Sequence, residues 1–373
     1  MCRKESFESK RLVSPRVAPF SRPLRERWFY MALLFLSQLS CNIRKGTSET
    51  KSEGSFSAGL YGDAKISGPL IAIEKKESQQ HFPRLIASYK CFALWEDHKA
   101  VVEWPPPRKI PEHFLYSFTV GGRIPVGSFY FAQKYAETTA LHSIWTLKDV
   151  NRYVQATHKL RKSLTSNVGS KSVPLKLIPR ISRYGAQNTL DIALAMEKWK
   201  NEIQNKHVLV VGSERPWLEG MLIGFGAKKV TTLEYGSIIS EHPKISTITV
   251  ANLTKAVLQN NHEYFGLFDT AFSYSSIEHS GLGRYGDQIN PFGDIEQVAQ
   301  ISCLLKTGGI FFLGFGIGKD KIEFNAHRIY GKIRLPLVTV NFKVMDIIGT
   351  FSWEKANWKI QPILVLKNIF KTD

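Results

Sequence analysis

A glutamate and a histidine that follow an apolar segment are the residues of this chain best suited to proton transfer. Glu278 and His279 come after the apolar run 266–273, which is typical of a buried β-strand. A histidine titrates near neutral pH, and a glutamate can orient it or accept a proton from a substrate. We therefore take the pair as candidate catalytic residues. The alternative is that both side chains only stabilise their loop.

The segment 207–236 predicts where a ligand binds. Residues 208–211 are an apolar run typical of a parallel strand covered on both faces, and Gly212 follows them. A glycine lets the backbone turn sharply and approach a ligand. Glu234 comes 22 residues later, where a nucleotide-binding β-α-β unit has its ribose-binding carboxylate. The alternative is an ordinary β-α-β unit with an exposed glutamate at a strand end.

The turn after Gly212 indicates the chemical class of that ligand. Dinucleotide sites have the spacing Gly-x-Gly-x-x-Gly, whereas residues 213–216 read Ser-Glu-Arg-Pro and the next glycine is Gly220. A bound pyrophosphate, and with it a nicotinamide-dependent oxidoreductase, is therefore disfavoured. S-adenosylmethionine fits better because it has an adenosine and no phosphates. We expect Gly212, Ser213 and Glu234 to bind it.

The apolar periodicity predicts an α/β domain around these residues. We expect a sheet whose strands alternate with helices. The predicted strands are 207–211, 229–234, 266–273 and 310–315, the predicted helices are 187–205 and about 291–306, and apolar runs at 337–344 and 363–366 are candidates for a closing antiparallel hairpin.

Several longer stretches resemble a known family. They are ThrThrLeuGluTyrGly (231–236), SerSerIleGluHisSerGlyLeuGlyArgTyrGlyAsp (275–287), AsnAlaHisArgIleTyrGly (325–331), IleArgLeuPro (333–336) and GlnProIleLeuValLeuLys (361–367). Together they are similar to the nematode-rich domain of unknown function 268, which itself resembles class I S-adenosylmethionine-dependent methyltransferases. The resemblance implies a Rossmann-like sheet with helices on both faces and S-adenosylmethionine as cofactor. It implies no substrate.

Other polar residues follow the predicted strands at the edge where open α/β sheets bind ligands. Asn252 and Ser275 are further candidates for cofactor binding, although Asn252 could equally cap the helix that it precedes. Arg328 could equally bind a carboxylate within the protein. The candidates for substrate binding are Arg284, Tyr285, Asp287, His327 and Arg328.

Methyl transfer makes few demands on the protein, because a sulfonium is already a strong electrophile. The absence of a Ser/His/Asp triad or of metal-ligand spacing in the sequence therefore does not argue against it. The same reasoning keeps a second hypothesis open, namely a catalytically inactive, methyltransferase-like binding or scaffold protein. The loop after Gly212, with Arg215, Pro216 and Trp217 in place of glycines, favours that alternative.

The positive charge lies outside the predicted catalytic domain. Residues 1–206 contain 33 Lys and Arg against 17 Asp and Glu, and residues 207–373 contain 17 against 15. The charges are dispersed, without a run of five or more basic residues. We therefore favour a solvated or membrane-facing surface over nucleic-acid binding.

The first 180 residues divide into a terminal and an accessory region. Residues 28–41 form an apolar block preceded by arginines, which predicts a secretory signal or a short membrane anchor, with a core helix as the alternative. Residues 42–68 are a predicted flexible linker, so 1–68 form one region, 69–180 an accessory region and 181–373 the methyltransferase-like domain. A secretory or membrane-associated location follows, with the cytoplasm as the alternative.

The four cysteines, at 2, 41, 91 and 303, show no metal-ligand spacing. We expect neither a disulfide framework nor a zinc site. Cys303 is predicted to pack in a helix as a small apolar side chain.

Overall fold

The computed structural model describes residues 72–74, 84–86, 89–95, 105–131, 142–166, 174–259, 262–355, 357–359 and 361–371. The predicted signal or anchor at 28–41 and the linker at 42–68 lie outside these ranges. None of the helices within them is both long and apolar enough to span a membrane.

Strands and helices alternate through the second half of the described chain. The strands are β1 (Ala72–Glu74), β2 (Arg84–Ile86), β3 (Val126–Ser128), β4 (His142–Trp145), β5 (His207–Val211), β6 (Lys229–Glu234), β7 (Ser237–Ser240), β8 (Ile245–Thr249), β9 (Phe268–Tyr274), β10 (Leu305–Gly314), β11 (Lys321–Phe324), β12 (His327–Ile329), β13 (Phe342–Ile348) and β14 (Ile363–Asn368). The helices are α1 (Glu112–Phe118), α2 (Leu147–Ser166), α3 (Ala186–Lys198), α4 (Trp217–Gly224), α5 (Val250–Leu258), α6 (Gly293–Leu304) and α7 (Leu335–Val338).

Seven of the strands form one sheet in the order β13-β14-β10-β9-β5-β6-β8. The five strands from β8 to β10 are parallel, and β14 runs antiparallel between β10 and β13. This order, with the last strand inserted antiparallel beside the fifth, is that of the class I methyltransferase sheet. The predicted fold class and the predicted closing hairpin are confirmed. Gly212 and Glu234 lie at the carboxyl edge of the adjacent strands β5 and β6.

The sheet is covered on both faces, as the apolar run in β5 predicts. Leu209 and Val211 pack in one hydrophobic cluster, while Val208 and Val210 pack in another on the opposite face. Because neighbouring residues of a strand point to opposite faces, two buried faces require an uninterrupted apolar segment.

The accessory region shares this core. Helix α2 packs on α4 so closely that a Cβ at Gly220 would lie 2.4 Å from the Cβ of Tyr153, and one at Gly224 would lie 2.8 Å from Thr157 Cγ2. Gly220, the glycine that follows the turn after β5, therefore serves helix packing. In addition, β3 pairs with β11 and β4 pairs with β7, so the region is bound to the domain by hydrogen bonds as well.

A disulfide joins the accessory region to α6, contrary to the sequence-based prediction. Cys91 and Cys303 are bonded, with their Cα atoms 5.7 Å apart. Cys303 is buried, as predicted, but it is not a free thiol. Around the bond, the Tyr89 ring stacks on Phe370, and the Tyr89 hydroxyl lies 2.7 Å from Ser302 Oγ. The spacing of 212 residues between the cysteines carries no local signal that sequence reasoning could use.

Candidate functional site

A cavity of about 370 Å³ opens at the carboxyl edge of the sheet, beyond β5, β6 and β9. Open α/β sheets bind ligands at this edge, and the volume lies in the range of small-molecule sites. All but one of the residues proposed from the sequence line it, namely Gly212, Ser213, Glu234, Ser275, Glu278, His279, Arg284, Tyr285, Asp287, His327 and Arg328.

Asn252 is the exception. It lies exposed in the first turn of α5, away from the cavity, and its backbone N–H donates to the hydroxyl of Thr249, which caps the helix. The structure therefore does not bring Asn252 to the proposed cofactor site. The helix N-cap is Thr249, three residues earlier, and not Asn252.

Glu234 is buried at the end of β6 and holds the turn after β5. One carboxylate oxygen accepts from the Ser213 N–H at 2.7 Å, and the other accepts from the Tyr235 N–H at 2.8 Å. Burial raises the pKa of this carboxyl. Each carboxylate oxygen can accept a second hydrogen bond, so the side chain retains acceptor capacity towards the cavity.

Packing within the protein explains why residue 212 is a glycine. Its φ of +78° favours glycine. A Cβ at this position would overlap the side chain of Ser276, which comes from the loop after β9. The close approach predicted at this glycine is thus made by a protein side chain, while the backbone of Gly212 still lines the cavity.

A buried carboxyl that was not predicted from the sequence, that of Glu219, binds this turn on the side away from the cavity. Glu219 in α4 accepts from the hydroxyls of Thr232, at 2.8 Å, and Ser213, at 3.1 Å. Burial raises its pKa to about 7, although both hydroxyl bonds oppose the shift. Its position in the first turn of α4 is that of an ordinary first-turn acidic residue, so its sequence context gave no signal of burial.

Glu278 has the features of a proton acceptor. Burial raises its pKa to about 7. One carboxylate oxygen accepts from the Ser275 hydroxyl at 2.9 Å, whereas Oε2 has no hydrogen-bond partner among the described residues. Ser275 holds a left-handed conformation with φ of 52°, which positions the start of this loop. A buried polar atom without a partner at a cavity wall is a common sign of a ligand or of ordered water.

His279 has a defined tautomer. Its Nδ1 lies 2.6 Å from the carbonyl oxygen of Ala326, and because a carbonyl only accepts, Nδ1 must carry the proton. Nε2 then has its lone pair free and lies 3.7 Å from Glu278 Oε1. Burial and the nearby Arg284 guanidinium lower the pKa of His279 to about 3. Of the pair, Glu278 therefore has the basicity that suits neutral pH.

Two of the predicted substrate-binding residues, Arg284 and Tyr285, pack against each other in the cavity wall. Arg284 lies over the rings of Phe131 and Tyr285, 4.6 and 4.9 Å from their centroids. The Tyr285 ring also meets His279 edge to face at 5.5 Å. These contacts fix the guanidinium beside the candidate catalytic pair.

Asp287 and Arg328 are engaged with the protein itself. The Asp287 carboxylate accepts backbone N–H bonds from Gly281 and Tyr285, which shapes the loop between them. Arg328 is fully buried, donates to the carbonyl of Ser280 and lies beside the carboxylate of Asp294 at 3.7 Å. Arg328 therefore binds a carboxylate within the protein, which is the alternative that the sequence left open.

Aromatic rings that the sequence did not predict as site residues also line the cavity. Tyr184, Trp217 and Tyr274 form a cluster with centroid separations of 5.0 to 6.0 Å. Phe129 and Phe131 enter from the accessory region, and Trp358 with Gln361 from the loop before β14. Only the tertiary fold brings these segments together.

Within the described ranges, no group of His, Cys, Asp and Glu could hold a metal ion.

Comparison with known proteins confirms the family resemblance. Residues 205–363 match the model of the family described as Caenorhabditis protein of unknown function, DUF268. No curated protein matches the chain.

Solved structures similar to this chain include methyltransferases. One is the 1,6-didemethyltoxoflavin-N1-methyltransferase of Burkholderia thailandensis with bound S-adenosylhomocysteine, at 15% identity, 59% coverage of this chain, 86% of that chain and a TM-score of 0.34. Another is an S-adenosylmethionine-dependent methyltransferase of Methanosarcina mazei. It is 15% identical, with coverage of 46% of this chain and 96% of that chain and a TM-score of 0.32. The strand order of the sheet itself establishes the fold.

Proposed function

We propose that this protein is an S-adenosylmethionine-dependent methyltransferase that acts on an oxygen nucleophile. The observation that carries the proposal is Glu278, a buried carboxyl with a pKa of about 7 and one oxygen without a partner. It lies in a cavity at the ligand-binding edge of a class I sheet. A base with a pKa near the working pH combines a useful ionised fraction with the strongest driving force for proton removal.

The other half of the cavity fits the cofactor. Glu234 has the remaining acceptor capacity that ribose hydroxyls require. The rings of Tyr184, Trp217 and Tyr274 line the same cavity, and the face of an aromatic ring attracts a cation such as a sulfonium. When bound, S-adenosylmethionine supplies a methyl group on a positively charged sulfur, which keeps the electron pair of the broken carbon–sulfur bond.

The chain's own task is to orient the acceptor and remove its proton. The ionised Glu278 carboxylate takes the proton of the acceptor hydroxyl as the oxygen forms its bond to the methyl carbon. Ser275 donates to the other carboxylate oxygen and so fixes the orientation of Glu278. The neutral His279, held through Nδ1 by Ala326, presents Nε2 beside the carboxylate, where it accepts a hydrogen bond from a neighbouring hydroxyl of the acceptor.

Turnover tests this proposal. The full chain is incubated with S-adenosylmethionine labelled in the methyl group and with panels of glycans, lipids and small hydroxylated molecules. We expect label in an acceptor and formation of S-adenosylhomocysteine. Cofactor binding without transfer to any acceptor would contradict the enzymatic assignment.

Replacing Glu234 should weaken the cofactor complex. Glu234→Ala should reduce S-adenosylmethionine affinity by about 1.5 to 3 kcal/mol, because charge-assisted hydrogen bonds to the ribose are lost. Isothermal titration calorimetry measures the change, with circular dichroism as the check of folding. Glu241→Ala is the matched control, since Glu241 also accepts a backbone N–H, that of Leu147 at 3.0 Å, but lies outside the cavity. Equal affinities for wild type and Glu234→Ala would refute the role.

We also propose that the protein works in the secretory pathway. The Cys91–Cys303 disulfide supports this location, because disulfides persist in oxidising compartments and are rare in the cytosol. The arginine-flanked apolar block at 28–41 supports it from the sequence.

A fusion of residues 1–45 to a reporter tests the location. We expect the reporter in the endoplasmic reticulum, because the arginines before residue 28 precede an apolar core of signal-peptide length. A fusion in which the leucines of 33–38 are replaced by serine is the control and should remain cytosolic. A cytosolic wild-type fusion would contradict the proposal.

Two observations favour a second candidate function, a non-catalytic binding protein. The side chain of Ser276 fills the space over Gly212, and both oxygens of Glu234 already accept backbone bonds. A protein of this kind would bind a ligand in the cavity without methyl transfer. The turnover assay separates the two candidates.

A further inference from the structure

The wall of the cavity around Glu278 is one continuous network of polar side chains. Gln361 Nε2 donates to Ser275 Oγ at 3.2 Å, and the Ser275 hydroxyl donates to Glu278 at 2.9 Å. Gln361 also donates to the carbonyl of Trp358 at 3.1 Å, and the Trp358 ring lies 5.7 Å from that of His327. Loops before β14, after β9 and at β12 therefore present one surface.

Four polar atoms in this wall are buried and have no hydrogen-bond partner among the described residues. They are Glu278 Oε2, Gln361 Oε1, His327 Nε2 and Arg284 Nε, while Arg328 Nε, which also lacks a hydrogen bond, lies 3.7 Å from the Asp294 carboxylate and is left out of this set. Buried polar groups in folded proteins are nearly always satisfied, so four such atoms in one cavity indicate a polar ligand or ordered water that satisfies them. Their chemistry is mixed. The ionised carboxylate and the amide oxygen only accept, whereas the guanidinium nitrogen only donates.

An apolar surface stands beside these polar atoms. The Trp358 side chain is 52% exposed although it lines the cavity, and the Phe129 side chain is 58% exposed on the same cavity's wall. Lys359 Nζ lies 5.6 Å from the Trp358 ring centroid, so the ring has both an aromatic and a cationic neighbour and still retains free surface. Exposed aromatic rings next to unsatisfied polar atoms suit a ligand that has an apolar face and polar edges.

The ligand must combine donors, acceptors and a flat apolar face in a small volume. A hydroxyl group both donates and accepts, so several adjacent hydroxyls can satisfy this mixed set. An anionic group next to Glu278 is disfavoured by repulsion from its carboxylate, whereas the other four carboxyl side chains of the cavity are matched by four arginines. Polyamines are disfavoured because they offer no acceptor to Arg284.

We propose that this wall is the acceptor subsite and that it binds a pyranose ring of a saccharide, with the ring's C–H face against Trp358. The inference rests on the proposed methyltransferase function for the fate of the bound sugar. A hydroxyl at Glu278 then gives its proton to the carboxylate as its oxygen receives the methyl group. Binding of the sugar itself is independent of catalysis.

Saturation-transfer difference NMR on the full chain tests the subsite. The probes are the methyl glycosides of glucose, galactose, mannose and fucose, with cyclohexanol as a ring of similar size that has one hydroxyl. We expect saturation transfer to one face of at least one pyranoside and none to cyclohexanol. Trp358→Ala and His327→Ala should weaken that binding by about tenfold or more, the equivalent of one buried aromatic or polar contact. Ile239→Ala, which truncates an exposed side chain outside the cavity, should leave it unchanged.

Calorimetry with S-adenosylmethionine on the same samples separates the two proposals. Cofactor binding retained in Trp358→Ala, together with lost pyranoside binding, supports the subsite. If the cofactor binds and no pyranoside does, the subsite is wrong and the methyltransferase proposal stands. The same holds if the cofactor binds and pyranoside affinity is unchanged in Trp358→Ala and His327→Ala. Pyranoside binding without cofactor binding supports the subsite and contradicts the methyltransferase proposal. Absence of both contradicts both.

Discussion

Replacing Glu278 by glutamine should lower the methyl-transfer rate by about 10²- to 10⁴-fold, the usual effect of removing a general base. Glutamine keeps the size of the side chain and its acceptor oxygen for Ser275, but it cannot take a proton. Because the pKa of Glu278 is raised to about 7 by burial, the wild-type rate should rise with pH to a plateau. At pH 6 we expect about a tenth of the plateau rate. Cofactor affinity should change little.

Two variants make this experiment specific. Glu219→Gln changes a second buried carboxyl whose pKa is also about 7 but which lies behind the cavity wall, so the pH midpoint of the rate should stay near 7. His279→Gln should have a smaller effect than Glu278→Gln, because a histidine with a pKa near 3 is a poor base at neutral pH. An unchanged rate in Glu278→Gln, or a pH midpoint that survives the substitution, would show that another group takes the proton.

Loss of the disulfide should give the largest change in stability. Cys91→Ser should lower the free energy of unfolding by about 2 to 5 kcal/mol, because the bond closes a long loop and limits the unfolded chain. The loop spans 212 residues, and Cys303 lies in the core where an unpaired thiol replaces the bond. Denaturant unfolding with and without a reducing agent measures the effect.

Cys2→Ser is the control, since Cys2 is not a partner in this disulfide. Its unfolding should match the wild type, and only proteins that retain both Cys91 and Cys303 should respond to the reducing agent. A peptide map of the unreduced protein that recovers both cysteines as free thiols would contradict the structure. It would also remove the main structural support for a secretory location.

The fold was predictable from the sequence where local pattern and tertiary environment agree. The strands at 207–211 and 229–234 begin and end where the sequence predicts them. For the first of them, the reason is that a strand buried on both faces requires an uninterrupted apolar run. Boundaries that depend on packing were less predictable. The apolar run at 337–344 divides between α7 and β13, and the predicted helix 187–205 ends at Lys198 with a short 3₁₀ turn beyond it.

The site residues were predictable where they follow the strands β5, β6 and β9. Parallel strands bring Gly212 and Glu234 to one edge of the sheet, and Glu278 follows four residues after the end of β9 at the same edge. Asn252 failed because its strand, β8, lies at the rim of the sheet and its helix turns it outward. Trp358 and the Cys91–Cys303 bond depend on contacts between distant segments, which residue spacing does not encode.

Titration of the full chain with S-adenosylmethionine in a calorimeter shows directly whether the cavity binds this cofactor. The truncated domain is unsuitable, because removing α2 would expose the face of α4 on which it packs. We expect saturable binding of one cofactor molecule per chain, weakened in Glu234→Ala and unchanged in Glu241→Ala. Absence of binding by the folded wild-type chain would contradict the account.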